Sequence, residues 1–163
     1  MITGILLPCE EEQPIKRIEF DAENPTTIRE MVGGTFEAFN LDTPSASILA
    51  NDKAMLWSLP FNHRATVLLW LHAKGLRGQA YVSGDAVLTG ARDKRGRTKS
   101  VPDELATLLL DTESYGVEFL HRPDGPWSRR GTTFIDWFDA YNYAIVREAS
   151  FATISDARVV GTD

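Results

Sequence analysis

Residues 51–66 read Asn-Asp-Lys-Ala-Met-Leu-Trp-Ser-Leu-Pro-Phe-Asn-His-Arg-Ala-Thr, and the segments on both sides are arranged around this stretch. An Asn-Asp turn leads into a short apolar run, which a Leu-Pro-Phe bend then stops. Asn62 follows at the position of a helix N-cap, directly before an apolar segment, so we predict a helix over residues 63–73. Three aromatic residues of this region are expected to share one core: Trp57, Phe61 and Trp70.

The segments before this stretch predict four strands and one short helix. Runs rich in β-branched and aromatic residues indicate the strands. Asn24 and Pro25 provide a helix start, and the pair Gly33-Gly34 provides its end. The predicted strands cover residues 2–7, 15–20, 35–39 and 46–50, and the helix covers 26–32.

The segments after the stretch continue this mixture of strands and helices. The clearest helix lies at 133–149, because its aromatic residues fall on one face and are expected to be buried. Strands are predicted at 76–82, 86–89, 115–119, 151–154 and 158–160, and a third helix near 102–110. We therefore expect an α+β fold in which about four helices pack on a mainly antiparallel, bent sheet.

The composition of the 163-residue chain is that of an ordinary globular protein, with 43% hydrophobic and 25% charged residues. One domain over residues 1–163 is the expectation at this length. No apolar run approaches the roughly 20 residues that a bilayer crossing needs, and the first segment is a poor signal peptide. We therefore expect a cytoplasmic protein that does not bind membranes. Cys9 is the single cysteine, which excludes an internal disulfide.

Three motifs occur in order along the first half: Val-Gly-Gly at 32–34, Leu-Pro-Phe-Asn-His-Arg-Ala-Thr at 59–66, and Gly-Asp-Ala-Val-Leu-Thr-Gly at 84–90. Together they resemble a family of small proteins of unknown function that is common in bacteriophages and prophages. The resemblance covers residues 1–90 and leaves 91–163 as a C-terminal extension, expected to pack on the first part. It implies an accessory protein of a mobile element in the host-cell cytoplasm, without a known reaction or cofactor. The family-like positions are Asn51, Asn62, His63, Arg64, Gly84 and Asp85.

Motifs for catalysis and metal binding are absent from the sequence. The three histidines have no close metal-binding spacing, and there is no nucleophile elbow or glycine-rich phosphate loop. We therefore expect no metal and no cofactor and favour a non-enzymatic protein. An enzyme whose site is assembled from His63, Arg64 and Asp85 stays open as an alternative. Asn62 itself could either cap the helix or contact a ligand.

Two basic segments are the best candidates for ligand binding. The net charge of the chain is −6, yet residues 92–99 contain five basic residues and one acidic residue. A second basic segment at 122–130 is predicted to be a loop that presents an aromatic side chain for stacking. The candidate phosphate-binding residues are Arg92, Lys94, Arg95, Arg97, Lys99, Trp127, Arg129 and Arg130.

The leading hypothesis is a non-enzymatic phage or prophage accessory protein that binds a host macromolecule, with a host protein as partner. Such a protein would counter host defence or redirect host physiology. The alternative is a protein that binds nucleic acid or a phosphorylated nucleotide through basic segments 92–99 and 122–130. Self-association stays open as well.

Overall fold

A computed structural model describes residues 1–162 apart from the side chain of Arg130. Eight strands and four α-helices lie within these described residues. The strands are β1 (Ile2–Leu7), β2 (Lys16–Phe20), β3 (Phe36–Leu41), β4 (Ala46–Asn51), β5 (Ala86–Gly90), β6 (Tyr115–Leu120), β7 (Trp127–Phe134) and β8 (Asp156–Gly161). The α-helices are α1 (Thr26–Val32), α2 (His63–His72), α3 (Asp103–Leu110) and α4 (Trp137–Ser150).

The strands form two antiparallel sheets. One sheet has five strands in the order β2-β1-β5-β4-β3, and the other has three in the order β7-β6-β8. The predicted α+β class, the antiparallel pairing and the four helices are thereby confirmed. The chain divides into two compact units, Met1–Ala106 and Thr107–Asp163, so each unit contains one of the sheets.

The core of the first unit forms on both faces of the five-stranded sheet. On one face, Ile28 and Val32 of α1 pack with Leu49 and Val87. On the other face, Ile48 of β4 and its neighbours on β5 and β1 are fully buried. Both β4 and β5 are buried along their whole length, which explains why their sequences do not alternate between apolar and charged residues. The outer strands β2 and β3 are the two edges of this sheet.

The predicted Gly33 end of α1 and the predicted Asn62 cap of α2 are confirmed, whereas the N-cap of α1 is Pro25 and not Asn24. Gly33 ends α1 in the left-handed conformation with φ 79°, as a C-terminal glycine commonly does. The side chain of Asn24 accepts a hydrogen bond from the N–H of Thr26 at 3.1 Å. Asn62 caps α2, because its side chain accepts from the N–H of Ala65 at 3.0 Å.

The predicted strand at 76–82 is wrong. After α2 the chain forms a 3₁₀ turn at Lys74–Leu76 and then an irregular segment. Side chains of α2 satisfy the backbone of this segment in place of a neighbouring strand. The indole N–H of Trp70 donates to the carbonyl of Ala80 at 2.6 Å, and the hydroxyl of Thr66 accepts from the N–H of Val82 at 3.0 Å.

The second unit is the three-stranded sheet with α4 packed on it. Asp136 caps α4 by accepting from the N–H of Phe138 at 2.8 Å, so the helix begins at Trp137 and not at residue 133. Trp137 and Tyr141 are buried on α4, as its amphipathic pattern predicts, and their rings meet edge to face at 5.4 Å.

Two predictions for this unit are wrong. Residues 127–134 form β7, because they pair with β6, whereas the sequence predicted a loop followed by the start of a helix. Residues 151–154 are not a strand, because α4 continues to Ser150 and a turn follows. Strand β8 includes the predicted strand at 158–160.

Within the described residues, no helix has the length and apolar character that a membrane crossing requires.

Candidate functional site

The family-like residue Asn62 is fully buried, and all of its side-chain groups are used inside the protein. Besides capping α2, its Nδ2 donates to the carbonyls of Leu7 and Gly84, each at 2.9 Å. One amide side chain therefore connects the end of β1, the start of α2 and the approach to β5. Asn62 therefore caps the helix, and its polar side-chain atoms are hydrogen-bonded within the protein.

Arg64 and His63 both hold the segment that follows β1. The buried guanidinium of Arg64 donates from Nη2 to the carbonyls of Pro8 and Glu10, at 2.8 and 3.0 Å. The exposed ring of His63 lies with Nδ1 2.8 Å from a carboxylate oxygen of Glu11. Helix α2 is thus attached to the 8–11 segment by two successive side chains.

Asp85 contacts the same segment from the other side. Its Oδ1 accepts a hydrogen bond from the N–H of Cys9 at 2.9 Å. Burial raises the pKa of the Cys9 thiol, and the neighbouring carboxylate of Asp85 raises it further, which disfavours a nucleophilic thiolate.

The turn at Asn51 and the glycine at 84 are likewise structural. Asn51 donates from Nδ2 to the carbonyl of Val32 at 3.0 Å and accepts from the N–H of Lys53 at 2.7 Å. Gly84 has φ 76°, and a Cβ at this position would lie 2.9 Å from Cδ1 of Leu59. The family-like positions therefore hold unit 1 together. His63, Arg64 and Asp85 are directed at separate backbone or carboxylate partners and line neither of the clefts described below.

The aromatic core predicted around Trp57 is not formed. Met55, Leu56 and Trp57 are 75%, 79% and 50% exposed, and Phe61 and Tyr81 are 43% and 46% exposed. We call these five side chains the apolar surface. The sequence-based interpretation missed it because a short apolar run between a turn and a proline bend was taken for core. The sequence does contain a signal for this exposure. Residues 55–57 are only three apolar residues between two turns, too few to form a strand or helix that could bury them.

Backbone hydrogen bonds fix the turn that carries the apolar surface. The N–H of Trp57 donates to the carbonyl of Lys53 at 2.9 Å, and the N–H of Leu59 to that of Ala54 at 2.9 Å. Trp57 lies over Gly34, where a Cβ would stand 3.4 Å from the indole ring. Farther along, the rings of Phe61 and Tyr81 meet edge to face at 5.6 Å. Hydrogen bonds therefore order the backbone of the turn that carries Met55, Leu56 and Trp57.

A cleft of about 530 Å³ adjoins the apolar surface; we call it the apolar cleft. Glu37 and Phe39 of the edge strand β3 line one side of it, and Met55, Leu56 and Tyr81 line the other. A second cleft of about 460 Å³ lies on the opposite face of the same sheet. We call it the polar cleft, and its lining includes Ala38, Asn40, Ser47, Thr89, Arg92 and Thr98.

The first basic segment borders the polar cleft as an ordered hairpin. Arg92 and Thr98 form an antiparallel bridge, and Asp93 accepts from the N–H groups of Arg95 and Arg97 at 2.8 and 2.9 Å. These backbone hydrogen bonds, Arg97 first, lower the pKa of Asp93. The side chains of Arg92, Lys94, Arg95, Arg97 and Lys99 are all exposed.

The second basic segment differs from the prediction. Trp127 and Arg129 lie on strand β7 and not on a loop. The guanidinium of Arg158 covers the Trp127 ring at 4.0 Å from its centroid, so one ring face is already occupied. Arg129 lies across Gly116, while the side chain of Arg130 lies outside the described residues. The two basic segments belong to different units.

Among the described residues, no group of three or more His, Cys, Asp or Glu side chains is arranged to hold a metal ion.

The fold defines an α+β protein with an exposed apolar surface and a cleft on each face of an edge strand. The chain belongs to the family described as Domain of unknown function (DUF3846), whose model matches residues 2–114. The expectation of a family of unknown function is confirmed, and the match extends beyond residue 90 to include α3. No curated protein and no solved structure matches the chain.

Proposed function

We propose that the protein is a non-enzymatic accessory protein of a phage or prophage that binds a host protein in the host cytoplasm. The observation that carries this proposal is the apolar surface. Exposed groups of large apolar side chains mark interaction sites on soluble proteins, and methionine and aromatic residues are enriched in interfaces. Met55, Leu56, Trp57, Phe61 and Tyr81 are such a group.

The rigidity of the turn supports the same proposal. Binding costs free energy when loops and side chains must be ordered, and a preorganised surface reduces this cost. The hydrogen bonds from Trp57 and Leu59 already order the turn. The phage or prophage setting rests on the family resemblance of the three motifs at 32–34, 59–66 and 84–90.

A tagged capture from infected cells tests the proposal. Leu56→Asp places a charge on the apolar surface at a side chain that is 79% exposed. The matched control is Ile135→Asp, because Ile135 is 91% exposed and lies outside the apolar surface. We expect a host protein to be retained by the unchanged chain and by the control, and lost with Leu56→Asp. Absence of a stable host partner, or retention by all three chains alike, would contradict the proposal.

A second candidate function is the binding of nucleic acid or a phosphorylated nucleotide by the basic hairpin. The observation in its favour is that Arg92 lies at the polar cleft, whose lining hydroxyl and amide groups suit a phosphate ligand. Asp93 orders the backbone of the hairpin, and the basic side chains are exposed, with Nε of Arg97 3.8 Å from a carboxylate oxygen of Glu23.

Fluorescence anisotropy with short single-stranded DNA and with a fluorescent nucleoside triphosphate tests this second function. Affinity should fall with salt, and Arg92→Glu with Arg95→Glu should reduce the salt slope by about 1 to 2. Lys16→Glu changes an exposed basic residue on β2 and is the matched control. Binding that ignores both salt and the double substitution would exclude the hairpin as the site.

A further inference from the structure

The phase of hydrogen bonding in β3 shows which backbone groups lie at the open edge of the sheet. The carbonyl of Thr35 accepts from the N–H of Asp52 at 3.1 Å, in register with the β3–β4 pairs. Hydrogen-bonded pairs alternate along an antiparallel ladder, so Glu37 and Phe39 direct their N–H and C=O groups to β4. The groups of Phe36, Ala38 and Asn40 must therefore point outward.

The open edge has a defined length. Asp42 continues the outward phase, and its N–H donates to the carbonyl of His72 at 2.9 Å, which closes the edge at that end. Among the described residues, no hydrogen bond occupies the outward backbone groups of Ala38 or Asn40. Both residues are exposed. Five residues from Phe36 to Asn40 therefore offer about 17 Å of free strand edge.

The two clefts flank this edge on opposite faces. Side chains alternate along a strand, so Glu37 and Phe39 line the apolar cleft while Ala38 and Asn40 line the polar cleft. A strand added beside β3 would send its own side chains alternately to the same two faces. One set would meet Met55, Leu56 and Tyr81, and the other would approach Arg92.

We propose that β3 receives an extended segment of the partner as an additional strand, with apolar side chains in the apolar cleft and acidic ones beside Arg92. Main-chain hydrogen bonds supply affinity in this mode of recognition, and the alternating pockets supply specificity. The inference rests on the proposed function, because it specifies how the host protein is bound.

Charge complementarity favours such a segment over a second copy of this chain. An antiparallel β3–β3 pairing keeps the faces of the two sheets aligned. The Glu37 side chain of the second copy would thus lie on the same face as Glu37 and Asp52 of the first copy, so that like charges would meet at the apolar cleft. It would offer Arg92 only the neutral side chains of Ala38 and Asn40.

Selection from a displayed library of random peptides of about ten residues tests the proposal, since that length spans the edge with residues to spare. We expect enriched peptides to alternate apolar and acidic residues and to slow amide hydrogen exchange at Ala38 and Asn40. Ala38→Pro removes an outward N–H while keeping the β3–β4 ladder. It should weaken peptide binding at least about tenfold.

The control is Glu19→Pro on β2, the other edge strand. This variant should bind the peptide within about twofold of the affinity of the unchanged chain. Glu19 corresponds to Ala38, because its N–H also points away from the sheet. Thr3, which pairs with Glu19, bonds with Ser100 and Val101 on the side away from β2, so the N–H of Glu19 is directed outward.

Arg92→Glu changes an exposed side chain and tests the charge preference. This variant should select peptides in which basic residues replace the acidic ones. Failure to enrich any peptide, or enriched peptides that bind Ala38→Pro normally, would overturn the proposal.

Sedimentation and infected-cell capture separate the remaining outcomes. A dimer of the chain that Ala38→Pro dissociates would assign the edge to a second copy and overturn the proposal. Capture that is lost with Leu56→Asp but unchanged by Ala38→Pro would leave the proposed function standing while excluding strand addition. Selected peptides that depend on Ala38, without any captured host protein, would support the edge site and contradict the host-protein function.

Discussion

The N–H of Asp42 donates a hydrogen bond to the carbonyl of His72 at 2.9 Å, which ties the end of edge strand β3 to the last turn of α2. The Nδ1 atom of His72 lies 2.9 Å from the carbonyl of Thr43, which can only accept. Nδ1 must therefore carry a hydrogen. This double attachment limits the free edge of the sheet to the part of β3 before Asp42.

We predict that His72 makes the folded protein less stable at acidic pH. Burial lowers the pKa of His72 from its ordinary 6.5, and the charge of Lys74 lowers it further, so the unfolded chain binds the proton more readily. Stability due to His72 is then present above pH 6.5 and is lost as the pH falls toward the folded-state pKa. Urea denaturation at about pH 7.5 and about pH 5.5 should show a larger loss for the unchanged chain than for His72→Asn. Equal losses would contradict this role.

Asn62→Ala should destabilise the protein by about 3 kcal/mol, because it removes the α2 cap and both donors to the carbonyls of Leu7 and Gly84. Urea denaturation measures the loss. Asn62→Asp separates the two effects, since it keeps the capping oxygen and loses the donors.

His63→Ala is the neighbouring control and should change stability by less than about 1 kcal/mol, because the His63–Glu11 pair is exposed. An Asn62→Ala variant as stable as this control would show that the buried amide does not hold the three segments together.

Gly90→Ala should destabilise by about 2 kcal/mol or more, because the new Cβ would overlap the backbone carbonyl of Ser100 and approach that of Lys99. The backbone at this place is fixed by the N–H of Gly90, which donates to the Lys99 carbonyl at 2.9 Å. Gly75→Ala is the matched control, since nothing lies within 4 Å of a Cβ there. Thermal denaturation of the two variants should differ clearly, and equal melting temperatures would be inconsistent with the close approach.

Alkylation of Cys9 by iodoacetamide should reach half its maximal rate at a pH above the ordinary thiol pKa, because burial and Asp85 raise the pKa of Cys9. Asp85→Asn removes the carboxylate that opposes the thiolate, so the rate profile should move to lower pH. Circular dichroism verifies that the variant is folded. A profile that does not move would mean that Asp85 has no influence on the thiol.

Local signals along the chain predicted the first unit well. The Gly-Gly stop after α1, the Asn62 cap and the apolar runs of β4 and β5 each depend on a few adjacent residues, and each corresponds to an observed element. Segment 76–82 was predicted to be a strand, but backbone groups of Ala80 and Val82 form hydrogen bonds with the side chains of Trp70 and Thr66 on α2. No local pattern distinguishes that arrangement from a strand.

The candidate site was predicted less well, because it depends on contacts between distant parts of the chain. Arg64 is of a residue type that often binds anions, yet in the fold it is buried and donates hydrogen bonds to the carbonyls of Pro8 and Glu10. Leu56 and Trp57 are of residue types usually found in a core, yet in this turn their side chains are exposed. The position of Arg92 next to the polar cleft results from the fold and cannot be derived from the residues around it in the sequence.

Site-specific photo-crosslinking in infected cells tests the central claim most directly. A benzophenone amino acid at position 56 lies on the apolar surface, and the same amino acid at position 135, where the native side chain is also highly exposed, is a reference outside it. We predict one discrete crosslinked host protein from position 56 and none from position 135. The same products from both positions, or none from position 56, would contradict the claim that the apolar surface binds a host protein.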